Sequence, residues 1–149
     1  MQSLYALEVG GGEVKLYLDH VIRPDLEDDA NNLRFAEKLL LRTIDMIEQA
    51  DEIIGRHTQN WELERIALID RVLLRIAVCE LLTFDDIPPK VTLNEAIDIA
   101  KNYSTPRSGQ FINGVLDAIV LELYNAGRLQ KSGRGLVGMD DIQQRAKTP

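Results

Sequence analysis

The chain has 149 residues, 45% hydrophobic and 28% charged, with a net charge of −7. That length holds one domain with a sizeable core, and the composition is globular rather than disordered. Aromatics are only 5%, so Leu, Ile, Val and Ala must build the core, and the lone cysteine, Cys79, excludes an internal disulfide and fits a reducing cytoplasm.

Met1 to Val9 predicts a short helix with Leu4, Leu7 and Tyr5 as inward candidates, and nine residues need packing to stay helical. Its start, Met1-Gln2-Ser3-Leu4, lacks the basic stretch and apolar run of a signal peptide. Gly10-Gly11-Gly12 stops it. Val14 to Ile22 predicts a second short helix closed by Pro24. After the acidic run Asp25 to Asp29, Asn31-Asn32 offer caps for an amphipathic helix. Its inward stripe is Leu33, Ala36, Leu40, Ile44 and Ile47, while Glu37, Arg42, Asp45 and Glu48 can face water. Asp51 to Arg56 either continues that helix or forms the next.

Asn60 suits an N-cap, with Glu62 and Glu64 in the first turn where the helix dipole favours acids. Ile66 to Phe84 is apolar almost all round, yet it carries Asp70, Arg71, Arg75 and Glu80, which predicts a central core helix and not a membrane span. Asp70 can break or re-cap it. Asp85-Asp86-Ile87-Pro88-Pro89 is a stop. Thr92-Leu93-Asn94-Glu95 has capping-box spacing and opens a helix to about Tyr103. Thr105 with Pro106 marks another start, followed by the stripe Phe111, Ile112, Val115, Leu116, Ile119, Val120 and Leu123, with Gly127 as its end. The expected organisation is one helical domain over residues 1–127 and a flexible, glycine-containing tail over 128–149. No strand-period alternation and no repeat stand out.

Catalytic chemistry has little to build on. His20 and His57 lack metal-ligand spacing with Cys79, which reads as a small core residue. No phosphate-binding glycine loop or nucleophile elbow occurs. The acid pairs Asp28-Asp29, Asp85-Asp86 and Asp140-Asp141 fall in turns or the tail. The expectation is a non-enzymatic protein with no cofactor and no metal. Charge is uneven: residues 1–100 hold ten Lys/Arg against twenty Asp/Glu, and residues 101–149 hold seven against four. An acidic body can therefore still present a basic face. One segment suits nucleic acid. Lys101 and Asn102 close one helix, and Arg107, Ser108, Gln110 and Phe111 open the next, combining basic groups, free helix-start amides and an aromatic ring. Phe111 equally fits a core position in that first turn.

Four runs occur in one order: Leu73-Leu74-Arg75-Ile76-Ala77-Val78-Cys79-Glu80-Leu81-Leu82, Ile87-Pro88-Pro89-Lys90-Val91, Asn94-Glu95-Ala96-Ile97-Asp98-Ile99-Ala100-Lys101 and Phe111-Ile112-Asn113-Gly114-Val115-Leu116-Asp117. With their gaps, they resemble the NusB family of bacterial transcription antitermination factors across residues 60–123. Gln2-Ser3-Leu4-Tyr5 resembles that family's first helix. The resemblance implies an all-α fold of two small antiparallel helical bundles packed into one domain. It implies a cytoplasmic adaptor that binds the single-stranded boxA element of ribosomal RNA transcripts together with NusE, a small-subunit ribosomal protein, and helps the RNA polymerase elongation complex read through terminators. By the same resemblance the RNA contacts map onto Gln2, Tyr5, Arg75, Arg107, Ser108, Gln110 and Phe111, and a partner contact maps onto Asp70; Lys101 joins the expected RNA contacts as the basic residue that closes the preceding helix. Arg75 can instead form a local ion pair near Asp70 or Arg71, and Asp70 can be a helix cap.

Two departures accompany the likeness. The family's arginine-rich stretch before its Gln-x-Leu-Tyr sequence has no counterpart ahead of Gln2, which lowers the expected number of phosphate contacts. Arg107 stands where the family often has an acid, and Gln110 where it often has a lysine. A net charge of −7 leaves a rival reading: a module of the same fold that binds proteins and has lost RNA.

Overall fold

The structure, a computed structural model, describes residues 1–58 and 65–148, which form helices and connecting turns with no strand. In chain order these are α1 (Gln2–Gly10), α2 (Val14–Tyr17), a π turn (Leu18–Ile22), α3 (Arg23–Leu26), α4 (Ala30–Asp45), α5 (Ile47–His57), α6 (Leu68–Thr83), α7 (Pro89–Tyr103), α8 (Ser108–Asn125), a 3-10 turn (Gly133–Leu136) and α9 (Met139–Lys147). None of the described helices is long and apolar enough to cross a membrane.

The all-round apolar character of α6 has a direct packing cause. Its Leu73, Leu74, Val78 and Leu81 join Ile53 and Ile54 of α5 and Ile112, Leu116, Ile119 and Leu123 of α8 in the larger of two hydrophobic clusters. Its Val72 faces Leu4 of α1, Leu18 and Leu40 of α4 in the smaller one. A helix with apolar neighbours on both sides cannot afford a polar stripe. Each fully buried Leu or Ile contributes about 1.5–3 kcal/mol relative to exposure.

Several boundaries fall elsewhere than the sequence suggests. Pro24 does not close the second segment. It lies in the first turn of α3, where a missing amide is harmless, and the wide π turn just before it lets the helical path continue. Asp29, not Asn31 or Asn32, caps α4: its carboxylate accepts from the backbone N–H of Asn32 at 3.0 Å and from its Nδ2 at 2.6 Å. Met46, at φ −106° and ψ 7°, separates α4 from α5. The expected cap at Asn60, with Glu62 and Glu64, lies outside the described residues. Asp70 neither breaks nor caps α6 but stands in its first turn. Helix α7 starts at Pro89, ahead of the capping-box spacing, because Pro88 is extended and a proline at the first helical position loses no hydrogen bond. Thr92 is thereby freed from capping, and its hydroxyl donates to Glu80 Oε1 at 2.6 Å, joining α7 to α6. Gly127 does end α8: at φ 67° its N–H reaches Tyr124 O and the N–H of Arg128 reaches Leu123 O, the paired bonds of a left-handed helix stop.

The segment after Gly127, expected as a flexible tail, is packed. Leu129 and Ile142 belong to the larger cluster. Lys131 Nζ donates to Phe84 O at 2.8 Å, satisfying a carbonyl at the end of α6 where the helix dipole favours a cation. Ser132 donates to Asp85 through both its N–H and its hydroxyl. Helix α9 lies on α8, with Arg145 paired to Asp117.

Candidate nucleic-acid interface

The turn between α7 and α8 is assembled by hydroxyl groups around one buried acid. Ser108 Oγ donates to Asp70 Oδ2 at 2.9 Å and lies 2.8 Å from Ser104 Oγ and 3.0 Å from Thr105 Oγ1. Ser108 and Asp70 are both buried. Asp70 Oδ1 is buried with no hydrogen-bond partner among the described residues. Thr105 and Pro106 form the turn, and α8 itself begins at Ser108. The Thr105 hydroxyl meets a side chain, not the backbone amide that a simple cap would satisfy.

This pinning leaves Lys101, Arg107 and Gln110 exposed around the start of α8. The Lys101 stem runs beside Gly109, whose added Cβ would lie 3.4 Å from Lys101 Cγ, so the lysine belongs to the same corner. Phe111 is half-buried and packs on the larger cluster, which makes it partly core as well as part of the corner. Helix α1 supplies the other expected residues. Leu4 faces inward at 1% exposure, while Gln2 and Tyr5, three apart on one helical face, are exposed. Tyr17 donates to Gly11 O at 2.6 Å and so fixes the corner between α1 and α2.

Three of the nominated residues are internal. Arg75, whose side chain is 8% exposed, donates through Nε and Nη2 to the two carboxylate oxygens of Asp51, each at 2.7 Å, and through Nη1 to Glu8 Oε1 at 2.7 Å. Asp51 chiefly holds the guanidinium above its ordinary pKa, so it stays charged. Its partners are thus Asp51 and Glu8, not the neighbourhood of Asp70 and Arg71. Asp70 and Ser108 support the corner from within, and Asp70 at 5% exposure offers no surface to a partner. Sequence reading missed Glu8 and Asp51, and the available signal was the arginine itself: a cation inside an apolar helix requires counter-charges.

His20 is exposed, His57 is paired with Glu122, and Cys79 is fully buried. Among the described residues no group of three or more His, Cys, Asp or Glu could hold a metal ion.

A helical scaffold around one central helix, with basic and amide side chains grouped at a helix start, defines a class of all-α proteins with a polar, partly basic surface at that corner. Residues 1–121 match the model of the NusB family, and the chain belongs to that family. It is 55% identical over 146 residues to the transcription antitermination protein NusB of Salinibacter ruber, a match covering 98% of this chain and 91% of that protein. The fold is similar to that of NusB from T. maritima, with a TM-score of 0.73, 34% identity and coverage of 79% of this chain and 82% of that one. It is also similar to a chain in a crystal structure of antitermination factors NusB and NusE in complex with double-stranded RNA, with a TM-score of 0.72, 27% identity and coverage of 83% and 89%. The family is one of transcription antitermination factors, not of enzymes.

Proposed function

We propose that this protein is a cytoplasmic antitermination adaptor that binds boxA-type RNA together with NusE and helps the RNA polymerase elongation complex read through terminators. The observation that carries the reading is the α7–α8 corner, where a buried network built on Asp70 and Ser108 holds Arg107, Lys101 and Gln110 out at a helix start. Backbone amides and cations there suit phosphates, and the edge of Phe111 suits a base. Gln2 and Tyr5 of α1 extend the surface. Residues 1–127 carry this activity, and no cofactor is needed.

The test is binding of a boxA-type single-stranded RNA to the full chain, with and without NusE, at one stated low salt concentration. Binding that NusE strengthens is the expected result, and no binding in either condition overturns it. A second reading, a protein-binding module of the same fold that has lost RNA, draws on the net charge of −7. It predicts a complex with NusE that never recruits RNA.

A further inference from the structure

Arg75 was expected to touch RNA, but its surroundings argue for another task. Its Nε, Nη1 and Nη2 all donate to carboxylates, and its side chain is almost entirely covered. The cluster holds one cation and two anions, so a phosphate approaching the guanidinium would meet net negative charge. The pair with Asp51 is bidentate and internal, between α6 and α5, and fixes the plane of the guanidinium. The remaining bond, to Glu8, is the one that leaves α6 and reaches α1. Glu8 is one turn beyond Tyr5 on α1, so the ion pair governs the rotation of the helix that carries Gln2 and Tyr5. Helix α1 has only Ser3 and Leu4 buried along its length, so its apolar packing alone defines that rotation loosely.

From this geometry we infer that Arg75 and Glu8 are positioning residues: the Asp51-locked guanidinium of Arg75 holds Glu8 and thereby sets how α1 presents Gln2 and Tyr5 to RNA. Asp70 plays the corresponding part for the second element, since it stands five positions earlier on the same helix and holds Ser108 of the α7–α8 corner. Helix α6 thus references both RNA-facing elements from two buried polar side chains, Asp70 and Arg75, about 7.5 Å apart along its axis. The inference rests on the proposed RNA-binding function.

The informative variant is Glu8→Ala, because an alanine at the end of α1 preserves helix propensity, whereas truncating Arg75 would leave two acids unpaired. RNA affinity is measured across a salt series for the full chain with NusE, together with amide hydrogen exchange of α1. The expected result is affinity about fivefold weaker, the value of one solvent-touched charge-assisted hydrogen bond. The slope of log affinity against log salt stays as in the parent chain, exchange in α1 is faster, and Glu8→Gln, which keeps an acceptor for Arg75, restores most of the binding. Unchanged or tighter RNA binding by Glu8→Ala overturns the inference. So does a steeper slope by about 0.7, because the freed guanidinium would then be meeting a phosphate of single-stranded RNA itself. Failure of the parent chain to bind RNA at all overturns the functional reading and this inference with it, whereas binding that ignores Glu8 sinks only the inference.

Discussion

Glu122 of α8 faces two side chains of α5. Arg56 Nη2 reaches its Oε1 at 2.5 Å, and the His57 ring meets its Oε2. The hydrogen bond from Arg56 is the main cause that holds the Glu122 carboxyl below its ordinary pKa of 4.5. A carboxylate depressed in the folded state adds stability above its unfolded pKa, and that contribution disappears as pH falls through the folded value. Glu122→Gln should therefore lower the urea midpoint at pH 7, with the difference from the parent closing as pH drops below about 4.5. The loss at pH 7 should not exceed about 1 kcal/mol, since Arg56 is 41% exposed and solvent screens the pair. An equal loss at every pH would contradict this account. Arg75 shows what a sequence conceals at this scale. Its type and its place in an apolar helix are legible, but its partners Glu8 and Asp51 come from distant parts of the chain and carry no local mark.

The elements divide by how local their causes are. The stripe of α8 and its stop at Gly127 rest on spacing and on one backbone conformation, and both were readable. The start of α7 was not, because the capping-box spacing at Thr92 competed with a proline that begins the helix earlier and sent the threonine to Glu80. The segment after Gly127 was misread for a related reason. Its glycines look like flexibility, yet at Gly135 a Cβ would lie 1.9 Å from the backbone oxygen of Asp85, so at least one glycine is there to permit contact. Gly135→Ala should force the 3-10 turn away from the end of α6 and cost about 1–3 kcal/mol. Faster amide exchange over residues 129–147, with α8 protected as before, would report that undocking. Unchanged exchange and an unchanged unfolding midpoint would show that the close approach does not matter.

Across the whole molecule, a net charge of −7 coexists with a surface assigned to RNA because the charges are segregated. The corner offers two exposed cations, Lys101 and Arg107, while Arg75 and Lys131 are occupied inside the protein. Few phosphate contacts follow, and so does a shallow dependence of RNA binding on salt. The all-helical class was legible from periodicity, and the family from four short runs in order. The composition of the interface was only half legible, since exposure decides which basic residues are available and exposure is a property of packing.

The most direct test of the central claim compares the parent chain with a Lys101→Ala/Arg107→Ala variant, each bound to boxA-type RNA with NusE across a salt series. If the α7–α8 corner contacts the RNA backbone, the variant should keep the parent's unfolding midpoint, bind more weakly, and lose about 1.4 from the slope of log affinity against log salt, roughly 0.7 for each phosphate contact removed. Equal affinity and an unchanged slope in a folded variant would contradict the assignment of RNA binding to this corner.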